Sequence, residues 1–379
     1  MVQTIKPGKP DFLLLLAAVI LLAIGLIMVL SASSVFSFNQ TDNSYYLFLK
    51  QLKWSFLGIF VSFIAVLIPY KHWKKISGLG ILLSIVLLLL VKYSNIAVTV
   101  KGSTRWLNIM GISVQPSEIA KLSLIIFLAF ILSRHPLKKM VDLIFPLTVI
   151  GVIMLLVFKQ PDLGTTIVIM LACGAMLLMT ELPILYFIGV IPILGIIGLY
   201  LIKHEEYQWN RILGWLDPWK YASTYGYQSV NAQIAFGTGG LFGIGIGRST
   251  ENAYLPENFT DTIFAVIGQE FGFFGTFLVL LFFVVLIARA YRISRKCPDR
   301  FGRLLGFGIT SILAIQTVVN LCVVTGLFPV TGLTLPLISY GGSSLLITML
   351  EIGILLNISR YRQDTILNEE TFIRNNANA

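Results

Sequence analysis

The chain has 379 residues, 56% of them hydrophobic and 12% charged, with a formal net charge of +10 and a mean hydropathy of +0.84. A soluble domain is nearer a quarter charged, so this composition excludes one and indicates a polytopic membrane protein. The basic residues are spread over several short segments rather than one face, which argues against nucleic acid as a partner.

Spans need roughly 20 mainly apolar residues. Ten segments qualify, at about 12–33, 47–68, 76–93, 117–134, 141–158, 163–180, 183–202, 262–290, 303–326 and 336–358. The expected fold is therefore all-α and polytopic, a single integral domain over residues 1–362 with a polar tail at 363–379. No internal repeat is evident, so an inverted-repeat transporter is not indicated. The first apolar run is long enough to span and is expected to be retained rather than cleaved. Cys173, Cys297 and Cys322 show neither metal spacing nor a disulfide framework.

Lys and Arg are concentrated in alternate loops. One set holds Lys6 and Lys9, Lys71 to Lys75, Arg134 to Lys139, Arg289 to Arg303, and Arg360 with Arg362. The positive-inside rule makes these loops, and both termini, cytoplasmic. The large loop at about 203–261, between the seventh and eighth spans, is then extracellular.

The outer loops carry the unusual chemistry. Between the third and fourth spans, Arg105 stands beside Trp106, and Pro116 suits the first turn of the next helix. Glu118 and Lys121 follow at i, i+3 on one face. They read either as a self-satisfying ion pair or as fixed positive charge offered to an outward cavity. Between the fifth and sixth spans, QPDLGTT (160–166) places Asp162 as a helix N-cap. The large loop is too long for a connector and rich in aromatics, among them Trp209, Trp215 and Trp219, which suit the headgroup layer. Its glycine run, GTGGLFGIGIG (237–247), follows no strand, so it reads as close backbone packing rather than a nucleotide cradle.

The run YLPENFTDTIFAVIGQEFGFFG (254–275) leads from acidic, polar residues straight into an apolar span. An ionisable group held near membrane depth is costly and therefore a functional candidate, which singles out Asp261. Glu270 lies about half a turn away in helical phase and reads as structural. Gln316 with Asn320, and Ser344 with Thr348 and Glu351, form stripes of the kind that bond helix to helix.

Together Trp106, VQPSEIAK (114–121), QPDLGTT, RILGWLDPW (211–219), Gly226 to Gln228, the glycine run, 254–275 and 331–344 resemble the SEDS family (shape, elongation, division and sporulation) over almost the whole chain. This is the bacterial cell-wall polymerase family of FtsW, RodA and SpoVE, and the likeness is strongest to the FtsW and SpoVE branch. One departure is Gln269, where an acid is common in the family. The resemblance implies a peptidoglycan glycosyltransferase in the cytoplasmic membrane that joins lipid II units outside it and releases undecaprenyl diphosphate. It implies Asp261 as the essential aspartate, with Glu118, Lys121 and Asp162 among cavity positions and Arg211 inside a family motif. It also implies a partner, a class B penicillin-binding protein transpeptidase, together with other division or sporulation proteins.

Such a reaction needs a base for a sugar hydroxyl and positive charge for a departing diphosphate. Asp261 is expected to be the base, with Lys121 and Arg105 or Arg211 supplying the charge. A divalent cation such as magnesium or manganese would also suit a diphosphate, although no ligand motif is present. The rival readings are a lipid II flippase, which Glu270 and Glu351 would serve, and a non-catalytic scaffold of the division machinery.

Overall fold

A computed structural model describes residues 8–100, 103–109, 111–134, 141–180, 198, 203–249 and 257–361. The expected seventh span falls outside these residues apart from residue 198, as does the tail at 363–379. The apolar runs form helices α1 (Phe12–Thr41), α2 (Tyr46–Leu67), α3 (Trp73–Tyr93), α4 (Pro116–Arg134), α5 (Val141–Phe158) and α6 (Leu163–Leu178). In the large loop lie α7 (Glu206–Leu216) and α8 (Tyr227–Gly239), followed by α9 (Ile263–Lys296), α10 (Arg300–Val324) and α11 (Gly342–Ser359). Among the described residues, eight helices are long and apolar enough to cross a membrane. The expected sixth span, α6, is apolar but shorter, at 16 residues.

Polarity decides which helices are central. The spans of α4, α10 and α11 are 67–72% buried within the protein, against 28% for α2, α3, α5 and α9. The central three also carry Glu118, Lys121, Gln316, Asn320 and Glu351, because a polar group in hydrocarbon must find partners inside the bundle. Small residues allow close helix contact. A Cβ added at Gly353 would lie 2.5 Å from the Ser62 carbonyl oxygen of α2. At the far end, Arg289 bonds the Asp11 carboxylate while the Ser359 hydroxyl accepts from the Asp11 N–H.

The loop before Pro116 departs from the all-α expectation. Strands β1 (Ala97–Val100), β2 (Ser103–Ile109) and β3 (Ile112–Val114) form an antiparallel sheet in that order. Its register pairs Val98 with Trp106 and Leu107 with Val114. Val, Ile and Thr fit a pleated, half-buried surface. The period of two puts Arg105 and Leu107 on the inward face, both buried, with Trp106 between them turned the other way. Leu107 thus anchors the strand that carries Arg105 inward.

Helix α9 is broken. Gly272 has φ 67° and ψ −161°, which frees backbone groups on either side of it. The glycine run fills the break: Ile244 and Gly245 N–H donate to the carbonyls of Gln269 and Glu270, while Phe273 and Phe274 N–H donate to Gly240 and Leu241. A Cβ at Gly243 would lie 2.1 Å from the Glu270 carbonyl oxygen, so backbone meets backbone there. The Glu270 carboxylate completes the joint by accepting from Ser31 Oγ at 2.5 Å and Gly247 N–H at 3.2 Å. The first half of α9, Ile263 to Phe271, is therefore a separate rigid piece held by α1 and the large loop.

Candidate active site

Asp261 lies in the turn that opens α9, and the chain before it is tied down residue by residue. Asn258 Nδ2 donates to the Ala32 carbonyl of α1 at 2.8 Å. Three successive carbonyls are then captured. Tyr340 N–H reaches Phe259 O at 2.8 Å, Ser339 Oγ–H reaches Thr260 O at 2.6 Å, and Asn320 Nδ2 reaches Asp261 O at 2.9 Å. The last helix begins at Gly342 rather than at the expected 336, and the strip 331–341 before it forms one wall of the site. Gln51 of α2 braces it from behind, donating to Ser339 O and accepting from Gly341 N–H.

Gly332 is the centre of that wall. It has φ +76°, and a Cβ built on it would lie 3.5 Å from Asp261 Oδ2, 3.8 Å from Arg105 Nη1 and 4.0 Å from Arg211 Nη1. One carboxylate and two guanidiniums, Arg105 from the sheet before α4 and Arg211 and Asp261 from opposite ends of the large loop, therefore meet around Gly332.

Each arginine is fixed by its neighbours, and in each it is Nη1, itself engaged by one of them, that lies nearest Gly332. Arg105 donates from Nε to the Gln160 carbonyl at 3.2 Å and from Nη2 to the Pro161 carbonyl, and its Nη1 lies 3.6 Å from Asp162 Oδ1. Asp162 caps α6 as expected, accepting from Thr165 N–H at 3.2 Å and Thr165 Oγ at 2.8 Å, while Ser117 Oγ of α4 donates at 3.4 Å. Its role is thus to cap α6 and to orient Arg105. Arg211 projects from α7, donates from Nη1 to Val330 O at 2.9 Å, bonds the Tyr207 hydroxyl through Nη2, and lies 4.6 Å over the Tyr207 ring. An arginine at such a site presents several donors in a rigid fork, suited to phosphate oxygens.

Glu118 and Lys121 do form an ion pair, at 3.0 Å, but both are buried rather than reaching for an interface. Lys121 Nζ also donates to Gln316 Oε1 at 2.7 Å, and Gln316 Nε2 donates to Thr334 O at 3.0 Å. The pair therefore connects to the site one step removed, through the same strip that carries Gly332. The three atoms nearest a Cβ at Gly332 belong to Asp261 and the two arginines, while Lys121 reaches the same strip through Gln316. Gly332, Asn320 and Tyr207 were not singled out for the site from sequence. The one available signal was Gly332 opening the run GLTLPLISYGGSS.

Among the described residues, no three His, Cys, Asp or Glu side chains gather into a cluster that could hold a metal ion by themselves. Chemically, the arrangement places one carboxylate and two guanidiniums around the Cα of Gly332.

A family model described as "Cell cycle protein", covering FtsW, RodA and SpoVE, matches residues 12–364. The chain is 40% identical over 366 residues to stage V sporulation protein E of Bacillus subtilis, covering 95% of this chain and 99% of that protein. It is 36% identical to a probable peptidoglycan glycosyltransferase FtsW of Geobacter sp. (strain M18), covering 92% and 96%. In structure it is similar to a chain of a peptidoglycan synthase complex that coordinates polymerization and crosslinking, with TM-score 0.80, 28% identity, and 93% and 98% coverage. It is similar also to the rod shape determining protein RodA of Thermus thermophilus, with TM-score 0.70, 27% identity and the same coverages.

Proposed function

The chain belongs to the FtsW, RodA and SpoVE family, and we propose that it is a peptidoglycan glycosyltransferase polymerising lipid II at the outer face of the bacterial cytoplasmic membrane. The observation that carries this reading is the convergence of Asp261, Arg105 and Arg211 around Gly332.

The chemistry asks for little more. The acceptor is a sugar hydroxyl, a poor nucleophile until its proton leaves. Asp261 takes that proton as the new glycosidic bond forms, a contribution of typically about 10²–10⁴-fold for a positioned base. The donor departs as undecaprenyl diphosphate, a good leaving group that needs charge stabilisation rather than an acid. Arg105 and Arg211 supply it from positions fixed before substrate arrives, so little reorganisation is needed in the transition state. A second carboxylate of the glycosidase type is not required. The buried Glu118–Lys121 pair and Gln316 support the wall that carries Gly332.

A class B penicillin-binding protein is the proposed partner, supported by the similarity to a chain of a synthase complex. A lipid II flippase is the rival reading, suited by the many spans, the lipid substrate and the acids Glu270 and Glu351. Of these two, Glu270 closes the joint between α1, α9 and the glycine run, while Glu351 is buried on α11. Reconstituted vesicles separate the two functions. Lipid II supplied only in the leaflet facing the large loop is expected to be polymerised without transport. Translocation of lipid II without any glycan product would reject the polymerase reading.

A further inference from the structure

Asn320 lies on α10 with 1% of its surface exposed, and its side-chain amide donates twice, to Asp261 O at 2.9 Å and to Leu333 O at 2.6 Å. Two carbonyls at these distances require the NH₂ end there, because the oxygen end would face two acceptors; the amide orientation follows from the network. One side chain thus clamps the residue that carries the carboxylate to the strip that carries Gly332. One helical turn earlier, Gln316 holds the next carbonyl of that strip, Thr334 O, and links it to Lys121. Two amides at i, i+4 on one membrane helix therefore grip consecutive carbonyls and set the spacing between the two walls of the site.

We infer that Asn320 is a positioning residue for catalysis, holding the Asp261 carboxylate in register with Gly332, Arg105 and Arg211. This rests on the glycosyltransferase reading. Ordinary helix-to-helix bonding would join two spans. These bonds instead end on the backbone of the proposed base and on the residue beside Gly332. A carboxylate cannot replace the amide, since it would confront both carbonyls with negative charge.

The test uses the purified full-length chain with fluorescent lipid II. Asn320→Ala and Asn320→Asp are compared with Thr317→Val. Thr317 is equally buried on α10, and its hydroxyl bonds only Leu313 O of its own helix. Asn320→Ala is expected to lose about tenfold or more in kcat with KM within about threefold, and Asn320→Asp more; Thr317→Val should change neither beyond about threefold. The acid limb of the rate–pH profile is a second readout. Arg105 and Arg211 lie with Asp261 around Gly332, and Asp162 pairs with Arg105. A carboxylate allowed to drift from the two cations becomes easier to protonate, so the limb should move to higher pH. If Asn320→Asp does not fold, Asn320→Ser, which keeps one donor, should fall between wild type and Asn320→Ala. An unmoved limb, with Asn320→Ala and Thr317→Val equally impaired, would overturn the inference. Should Asp261→Asn be inactive while Asn320→Ala runs at the wild-type rate, only this inference fails. Should Asp261→Asn keep the wild-type rate, Asp261 is not the base; should the wild-type chain form no glycan from lipid II, the glycosyltransferase reading itself fails.

Discussion

Gly332 stands against Asp261: a methyl group on its Cα would lie in contact with the carboxylate, 3.5 Å from Oδ2. Its φ of +76° also belongs to the left-handed region, where a side chain strains the backbone. Gly332→Ala is therefore expected to destabilise the strip by about 1–3 kcal/mol and to lower the polymerisation rate by more than about tenfold. Gly237 is the matched control, because a Cβ there meets nothing within 4 Å. Gly237→Ala should leave both the melting temperature and the rate near wild type, as measured by tryptophan fluorescence and by gel assay of glycan strands.

The two arginines should separate in their effects. Arg211 has one backbone acceptor and an aromatic support, so Arg211→Ala should mainly reduce turnover, by about 10–10³-fold, with modest loss of stability. Arg211→Lys should recover only part of this, since an ammonium lacks the planar fork. Arg105 also satisfies the Gln160 and Pro161 carbonyls and pairs with Asp162. Arg105→Ala is thus expected to lower the melting temperature as well as the rate. Steady-state kinetics and thermal melts on the same preparations check the contrast.

The Glu118–Lys121 pair predicts a thermodynamic asymmetry. Both groups are buried and 3.0 Å apart. Lys121→Met leaves a buried carboxylate uncompensated and should cost about 3–5 kcal/mol, whereas replacing both, as Glu118→Leu with Lys121→Met, should regain most of it. Denaturation of the single and double variants in detergent decides this. Additive losses would show that the two side chains act independently.

The break in α9 makes a further prediction. Gly272 has φ 67°, and a Cβ there would lie 2.4 Å from Gly243 N. Gly272→Ala should therefore unseat the glycine run from the half-helix that follows Asp261. Hydrogen exchange at Ile244, Gly245, Phe273 and Phe274, whose amides bridge the break, should accelerate by more than about tenfold.

Much of the architecture is legible in hydropathy, because a span must be long and apolar whatever it packs against. The 16-residue α6 begins at Leu163 behind its cap Asp162, where the span was expected, and ends at Leu178, two residues short of it. The sheet at 97–114 escaped notice because its strands are short and the surrounding helical signal is strong, although Val, Thr and Ile recur there. Asp261 stood out as an acid entering hydrocarbon, and Asp162 as a helix cap, because both are local features. The convergence on Gly332 was not legible. It depends on residues far apart in sequence meeting in space, and glycine is informative there only through what its missing side chain would touch. Gln316 and Asn320 were read as bonding helix to helix. Their spacing was right, but their acceptors, the carbonyls of Asp261, Leu333 and Thr334, are backbone groups that no side-chain pattern announces.

The most direct test of Asp261 as the base is polymerisation of purified lipid II by wild type and Asp261→Asn, a nearly isosteric change that removes the proton acceptor. The variant is expected to fold with an unchanged melting temperature, to keep its affinity for lipid II, and to lose about 10²-fold or more in rate. Glycan strands formed by Asp261→Asn at the wild-type rate would contradict the account.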